Sequence, residues 1–100
     1  MKKTFKLTHP KTKVARLVDA AKYDVKKYLK RERKKALPEG VDFWDFDCKF
    51  GHNIEEAKKI HWSKISKFID EAEMQKLESF YVEILAKPGY RTKKPILNEQ

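Results

Sequence analysis

An α+β fold is predicted by two kinds of hydrophobic spacing in this 100-residue sequence. Apolar residues recur every three to four positions from Val14 to Leu29, which is the spacing of one helical face. Apolar and polar residues alternate from Asp42 to Phe50 and from Ser79 to Ala86, which is typical of strands that bury one face. A hydrophobic content of 40% fits one domain with one modest core, and an aromatic content of 12% argues against a disordered chain.

The N-terminal elements are a short strand and a long helix. Residues 4–8 alternate in polarity, as expected of a half-buried strand. We expect the helix to begin near Thr12, because threonine is a favoured N-cap residue. The apolar face of the helix fades after Leu29, so we expect its last two turns to project beyond the core before Pro38 ends the helix.

The middle of the chain contains a strand and an ambiguous segment. The strand at residues 42–50 places four apolar side chains on one face, Trp44, Phe46, Cys48 and Phe50. Residues 53–77 fit either one long helix that starts with a capping box, or a short strand over residues 58–62 followed by a helix from Ser63. We favour the strand and helix, because a strand after the intervening turn would pair with the preceding strand as a hairpin.

The last strand is predicted at residues 79–86, which makes the order strand, helix, strand, strand, helix, strand. This is the order of the ferredoxin-like split βαβ fold, a four-stranded antiparallel sheet with two helices on one face. With the first and third strands in the centre, the open face would carry Thr4, Lys6, Thr8, Lys59, His61 and Ser63. We expect a single domain over residues 1–90 and a basic, mobile tail over residues 91–100.

The charge of the chain is concentrated in its N-terminal part. Residues 1–38 carry fourteen Lys or Arg against three Asp or Glu, whereas residues 39–77 carry six against nine. This asymmetry predicts a negatively charged partner, most commonly RNA or DNA. The densest run lies at the end of the predicted helix. We expect non-catalytic binding of a polyanion by the seven cations of this run, Lys26, Lys27, Lys30, Arg31, Arg33, Lys34 and Lys35.

Two other interpretations compete with nucleic-acid binding at this run. Cations in the last turns of a helix also complement its dipole and can simply solvate a surface. If Phe43, Tyr81 and Leu85 stand together on the open sheet face, they form an apolar patch that a second copy could bury. A structural module that homodimerises through this face is therefore the alternative function. Base stacking on Phe43, His61 or Tyr81 is a weaker option, because the RNA-recognition signature is absent.

No motif predicts catalysis, a cofactor or a metal. Asp42, Asp45 and Asp47 invite a metal interpretation together with His52, but acids on an exposed strand face commonly pair with lysines across the sheet. We therefore expect neither enzymatic activity nor a bound cofactor. The single cysteine, Cys48, lies on the apolar side of its strand, where we expect it to pack as a small hydrophobic residue.

A cytoplasmic protein without membrane insertion is the expectation from the remaining features. No run approaches eighteen consecutive apolar residues, and the first ten residues contain no apolar stretch of the length of a signal peptide. One cysteine excludes an internal disulfide and is compatible with a reducing compartment.

Three segments also carry a resemblance to a known family. They are KKYLKRERKKA at residues 26–36, LPEGVDFWDFDCKFG at residues 37–51 and ESFYVEILAKPGYRTKKP at residues 78–95. On these segments the chain resembles, over nearly its whole length, a family of small bacterial proteins of about 100 residues that is a domain of unknown function. The resemblance implies a compact bacterial domain. It implies no activity and no site residues.

Overall fold

The computed structural model describes residues 1–91, which form a four-stranded antiparallel sheet and two helices. The elements in chain order are β1 (Lys2–Lys6), α1 (Val14–Arg33), β2 (Phe43–Gly51), β3 (Lys58–Ile60), α2 (Ile65–Met74) and β4 (Ser79–Gly89). One turn of 3-10 helix, Trp62–Lys64, precedes α2. The predicted α+β class, the antiparallel sheet and the two helices are confirmed.

The strand order differs from the expected one. The order is β1-β4-β2-β3, so β4 and β2 are central, and the first and third strands form the edges instead of the centre. β4 is eleven residues long and buries side chains on both faces, whereas β1 has three lysines in five residues and β3 has only three residues. Short and lysine-rich strands suit a sheet edge. The ferredoxin-like arrangement is therefore not confirmed.

One hydrophobic core joins the sheet to both helices. β2 and β4 pair with Cys48 opposite Ile84 and Phe50 opposite Val82, which turns their even-numbered residues to one face. The ring of Phe80 stacks between Phe5 and Phe50, with ring centroids 5.3 and 5.2 Å away. Both helices bury residues in the same cluster, so they cover the same face of the sheet. Their buried apolar members are Val18, Ala21, Val25, Leu29, Ile65, Ile69 and Ala72.

The ambiguous middle segment resolves as a strand and a helix. β3 pairs with β2 as the predicted hairpin, with Cys48 opposite Ile60, and the single long helix is wrong. The strand is shorter than expected because Trp62 already begins the 3-10 turn. The His61 side chain caps this turn, since its Nδ1 accepts a hydrogen bond of 3.2 Å from the backbone N–H of Ser63. This cap starts the second helix.

Two element boundaries also differ from expectation. α1 begins at Val14 after an extended Lys13, without a side-chain cap from Thr12. β4 continues through Pro88 to Gly89, whereas the strand was expected to end at Ala86. β1 pairs with β4 only as far as Glu83, so within the described residues the Pro88 portion of β4 has a strand partner on one side alone. Proline is tolerated at such an edge because its missing N–H is not needed there.

The predicted C-terminal tail falls almost entirely on residues 92–100, which lie outside the described part of the chain. Its first residue, Arg91, donates a backbone hydrogen bond of 2.8 Å to Asp42 Oδ2. Among residues 1–91, neither helix is long and apolar enough to cross a membrane.

Candidate nucleic-acid interface

The basic run occupies the last two turns of α1 and the residues that follow. The helix ends at Arg33, and Lys34 is its C-cap. The expected projection beyond the core does not occur, because this end of the helix packs against the rest of the fold. Glu32 is 8% exposed. Trp44 Nε1 donates a hydrogen bond of 2.9 Å to the backbone oxygen of Lys35, and the Arg33 guanidinium lies 4.3 Å from the ring centroid of Trp62.

Glu32 is the buried acid of the run. The helical rotation places it in line with Leu29 on the apolar side of α1, where a carboxylate needs a partner. Lys35 supplies one, with its Nζ 2.9 Å from Glu32 Oε2, and Arg31 Nε lies 4.0 Å from the same oxygen. Lys35 and, more weakly, Arg31 are therefore partly neutralised by a carboxylate of their own helix.

Arg33 is held by aromatic rings. Besides Trp62, it lies 5.4 Å from the ring centroid of Phe46 in β2. A guanidinium stacked on a ring face is stabilised by the ring quadrupole, and its N–H groups at the edge can still donate to an anion. Arg33 thus joins the helix end to the body of the protein while it stays exposed.

Three lysines form what we call the outer ridge, Lys27, Lys30 and Lys34, on the side of α1 opposite the core. All three are exposed, and no carboxylate of residues 1–91 lies within 4.0 Å of their Nζ atoms. The ridge is about 10 Å long, over which one strand of a duplex carries about three phosphates. Lys26, also exposed and without a carboxylate partner in the described chain, lies beside it on the α2 flank.

The basic surface extends from α1 to β1 through Lys3, a residue that the sequence did not single out. Lys3, Lys27 and Arg31 line one cavity of about 180 Å³ together with Asp24 and Tyr28. Lys3 Nζ lies 3.4 Å from Asp24 Oδ2. Only the pairing of β1 at the sheet edge brings Lys3 to this helix, so no local pattern could have indicated it.

The open sheet face does not gather the apolar patch that dimerisation would use. Tyr81 is 4% exposed, and its hydroxyl donates to Glu83 Oε1 over 2.9 Å. Burial raises the pKa of Tyr81, and the hydrogen bond to Glu83 adds to this. Phe43 and Leu85 are 39% and 42% exposed. The cross-strand pair of Asp45 and Lys87 lies between Phe43 and Leu85 on this face.

The residues considered for a base-stacking platform on the open face are also dispersed. Thr4 and Lys6 lie on one edge strand and Lys59 on the other, with the two central strands between them. His61 follows the end of β3, where its ring caps the 3-10 turn. Phe43 and Tyr81 lie opposite Gly89 and Gly51, at the two ends of the β2–β4 pair, so they and His61 do not share one stacking platform.

The acids of β2 are engaged with protein groups. Asp47 Oδ1 accepts a hydrogen bond of 2.7 Å from Lys87 Nζ across the sheet, as the sequence suggested. This bond lowers the pKa of Asp47 and raises the pKa of Lys87. Asp45 Oδ1 accepts a bond of 2.8 Å from the backbone N–H of Phe46. Residues 1–91 contain no group of three His, Cys, Asp or Glu side chains that could hold a metal ion.

Cys48 is a core residue. It is fully buried between the sheet and the helices, and burial raises the pKa of its thiol to about 11. A thiol with such a pKa carries almost no thiolate at neutral pH, so it packs as the predicted small hydrophobic residue.

Comparison with known proteins places the chain in one family. Neither the curated proteins nor the solved structures provide a match. The model of a family of unknown function, DUF6172, matches residues 1–95, which is nearly the whole chain. The resemblance to a domain of unknown function is confirmed at this level, and the expected bacterial origin stays a prediction. The chain belongs to the DUF6172 family, whose function is unknown.

Proposed function

We propose that this protein binds RNA or DNA, without catalysing a reaction, through the outer ridge of α1. The observation that carries this proposal is the exposure of Lys27, Lys30 and Lys34 on one helical face with no carboxylate partner among residues 1–91. Arg31 and Lys35 lie close to the Glu32 carboxylate, which partly neutralises their charges, so they contribute less to binding. Lys26 and the edge of Arg33 widen the same surface, and Lys3, which is paired with Asp24, contributes less.

The docked helix end favours binding by this surface. A helix held by Trp44 and Trp62 presents the backbone positions of its lysines at a fixed spacing, so the helix itself does not have to become ordered when a phosphate backbone binds. Each neutralised phosphate releases condensed counterions, which makes such binding strong at low salt. Phosphate contacts carry no sequence information, so the ridge alone binds nucleic acids of any sequence.

Charge reversal tests this surface. The variant Lys27→Glu/Lys30→Glu/Lys34→Glu is expected to lose retention on labelled RNA and DNA at low salt. A matched control reverses three exposed lysines away from α1, Lys58→Glu/Lys64→Glu/Lys67→Glu, and changes the net charge by the same amount. The control is expected to keep most of the retention. Equal loss in both variants would reject the ridge as the site, and no retention of the unaltered protein would reject the function.

Self-association through the open sheet face is the second candidate. Its support is limited to the exposure of Phe43 and Leu85. Sedimentation mass across the micromolar range tests it, because a strict monomer would exclude a dimer. A cytoplasmic location and a bacterial origin accompany both candidates as proposals; the single buried cysteine is compatible with the former.

A further inference from the structure

A small cavity of about 180 Å³ lies where the edge strand β1 meets α1, at the N-terminal end of the outer ridge. We call it the Tyr28 pocket, and the residues that line it are Met1, Lys3, Asp24, Lys27, Tyr28 and Arg31. Its volume is that of about six water molecules, which is room for one phosphate group. Three of the lining residues are cations and one is an acid.

The helical spacing and the strand register bring these residues together. The helix residues lie at the i, i+3, i+4 and i+7 positions of one face, Asp24, Lys27, Tyr28 and Arg31. In β1, Lys3 pairs with the buried Val82, so its side chain leaves the sheet on the face that the helices cover. Lys3 Nζ lies 3.4 Å from Asp24 Oδ2, which shows that side chains of the strand and the helix meet here.

Arg31 and Tyr28 are oriented by contacts that leave them free donors. The Arg31 guanidinium lies 5.4 Å from the ring centroid of Tyr28, and its Nε lies 4.0 Å from Glu32 Oε2, which is beyond hydrogen-bond distance. The Tyr28 hydroxyl accepts a hydrogen bond of 3.1 Å from the Met1 amine, and its own proton can donate to another group. An anion at the pocket can therefore use donors of both residues.

The acid of the pocket, Asp24, is a weak competitor for an anion. The side chains of Lys3 and Asp24 are 52% and 44% exposed, and ion pairs this exposed contribute little to stability. Lys3 can therefore turn to a more highly charged anion at small cost. Among the described residues that line the pocket, three cations then face one carboxylate.

A terminal phosphate matches this arrangement better than an internal one does. A phosphate monoester carries a charge of about −1.5 to −2 at pH 7 and three free oxygens. A phosphodiester within a strand carries one charge and two free oxygens. Cations reach the pocket from β1 on one side and from α1 on the other, so each oxygen of the monoester can meet a donor. A strand that ends here also needs only one path out of the pocket.

We propose that the Tyr28 pocket binds the terminal phosphate of a nucleic acid strand through Lys3, Lys27 and Arg31. Lys27 belongs to both the pocket and the outer ridge, so the next phosphates of the strand lie on Lys30 and Lys34. The pocket rests on the nucleic-acid binding proposed above and adds a preference for phosphorylated strand ends to it.

Oligonucleotides with different ends test this preference. Three single-stranded DNA decamers of one sequence, with an internal fluorophore, carry a phosphate at the 5′ end, at the 3′ end or at neither. An 11-mer with hydroxyl ends has as many phosphates as a phosphorylated decamer and serves as the matched ligand. In anisotropy titrations of the full-length protein at low salt, a phosphorylated decamer is expected to bind about tenfold more tightly than the 11-mer, the effect of one charged hydrogen bond. The preferred end gives the direction of the strand along the ridge.

Variants locate the preference in the pocket. Lys3→Gln/Arg31→Gln is expected to bind the phosphorylated decamer and the 11-mer equally. The control Lys2→Gln/Lys6→Gln removes two exposed cations from the other face of β1 and is expected to keep the preference.

Asp24→Asn provides a test in the opposite direction. It removes the competing acid, so it is expected to tighten binding of the phosphorylated decamer about threefold. Asp19→Asn, at an exposed acid outside the pocket, is the control and is expected to change this affinity less.

The outcomes distinguish the two proposals. Equal affinity of the unaltered protein for the phosphorylated decamers and the 11-mer would overturn the terminal-phosphate site and leave the ridge function standing. A preference that survives in Lys3→Gln/Arg31→Gln would also overturn the site. Failure of every oligonucleotide to bind would reject the ridge function and the pocket together.

Discussion

Trp44 Nε1 donates a hydrogen bond to the backbone oxygen of Lys35 over 2.9 Å, and this bond ties the end of the basic helix to the start of β2. Lys35 follows the C-cap of the helix, Lys34, so its carbonyl has no partner within the helix, and the indole N–H supplies one. The same residue lines a cleft of about 420 Å³ together with Arg33 and Trp62. One residue therefore positions both the cations and the cleft beside them.

Trp44→Phe is expected to loosen this junction. Loss of the hydrogen bond should lower the free energy of unfolding by about 1 kcal/mol. For a domain of this size, that corresponds to a fall in Tm of roughly 4–8 °C, measured by thermal denaturation followed by circular dichroism. Tyr23→Phe, which removes a hydroxyl from an exposed side chain of the same helix, is the control. A Tm unchanged relative to that control would show that the bond does not stabilise the helix end.

Glu32→Leu tests whether the buried acid stabilises the fold. The substitution completes the apolar stripe of α1 and leaves Lys35 exposed to water, so no buried charge loses its partner. We expect the free energy of unfolding to stay the same or to rise by up to about 2 kcal/mol. Removal of one negative charge beside the ridge should also tighten RNA binding.

Glu32→Gln is the matched control, because it removes the charge without adding apolar surface. Its free energy of unfolding is expected to fall by about 1 kcal/mol, since a charged hydrogen bond to Lys35 is weakened. Urea denaturation compares the two variants. A leucine variant less stable than the glutamine variant would contradict the view that Glu32 lies on the core side of the helix.

The Asp47–Lys87 pair predicts a pH dependence of stability. The hydrogen bond from Lys87 lowers the pKa of Asp47 in the folded state below the unfolded value of 3.8. The contribution of Asp47 is therefore present above pH 3.8 and is lost as the pH falls through the lower folded pKa. The pKa of Lys87 is raised above 10.5, so its contribution is present below pH 10.5 and is lost as the pH rises through the folded value.

Asp47→Asn is accordingly expected to be less stable than the unaltered protein at pH 7. The difference is expected to vanish as the pH falls below the folded-state pKa of Asp47, where the carboxyl is protonated in both states. Urea denaturation at pH 7 and at successively lower pH values measures the difference. Asp19→Asn, at an exposed acid of α1, is the control and should show no comparable change. A difference that persists at low pH would mean that the side chain stabilises the sheet by something other than its charge.

The elements of the fold were predictable because each has a local sequence pattern. The arrangement of the strands in the sheet was not predictable. The periodicity from Val14 to Leu29 and the alternation in β2 and β4 reflect one buried face each, and the structure confirms these elements. The order of the strands depends on which strand can be buried on both sides. In β4 the second face is buried through Tyr81, and this burial favours a central position for the strand. It becomes visible only in the folded structure.

The candidate site was predictable in composition and not in geometry. The seven cations of the run were evident from the sequence. Glu32 lies on the apolar side of the helix, which suggested that the helix stops packing against the core before this residue. In the structure the ion pair with Lys35 allows the Glu32 carboxylate to be buried. The cleft that Trp44 lines with Arg33 and Trp62 could not be predicted, because Trp62 comes from beyond β3. Only the meeting of the strand start, the helix end and the 3-10 turn brings them together.

The salt dependence of duplex DNA binding is the most direct test of the outer ridge. The slope of the logarithm of the association constant against the logarithm of the salt concentration is measured for the unaltered protein and for Lys27→Gln/Lys30→Gln/Lys34→Gln. If each lysine neutralises one phosphate, the variant's slope will be shallower by roughly 2.7, which is about 0.9 for each phosphate that is no longer neutralised. Identical slopes for the two proteins would contradict binding through the outer ridge.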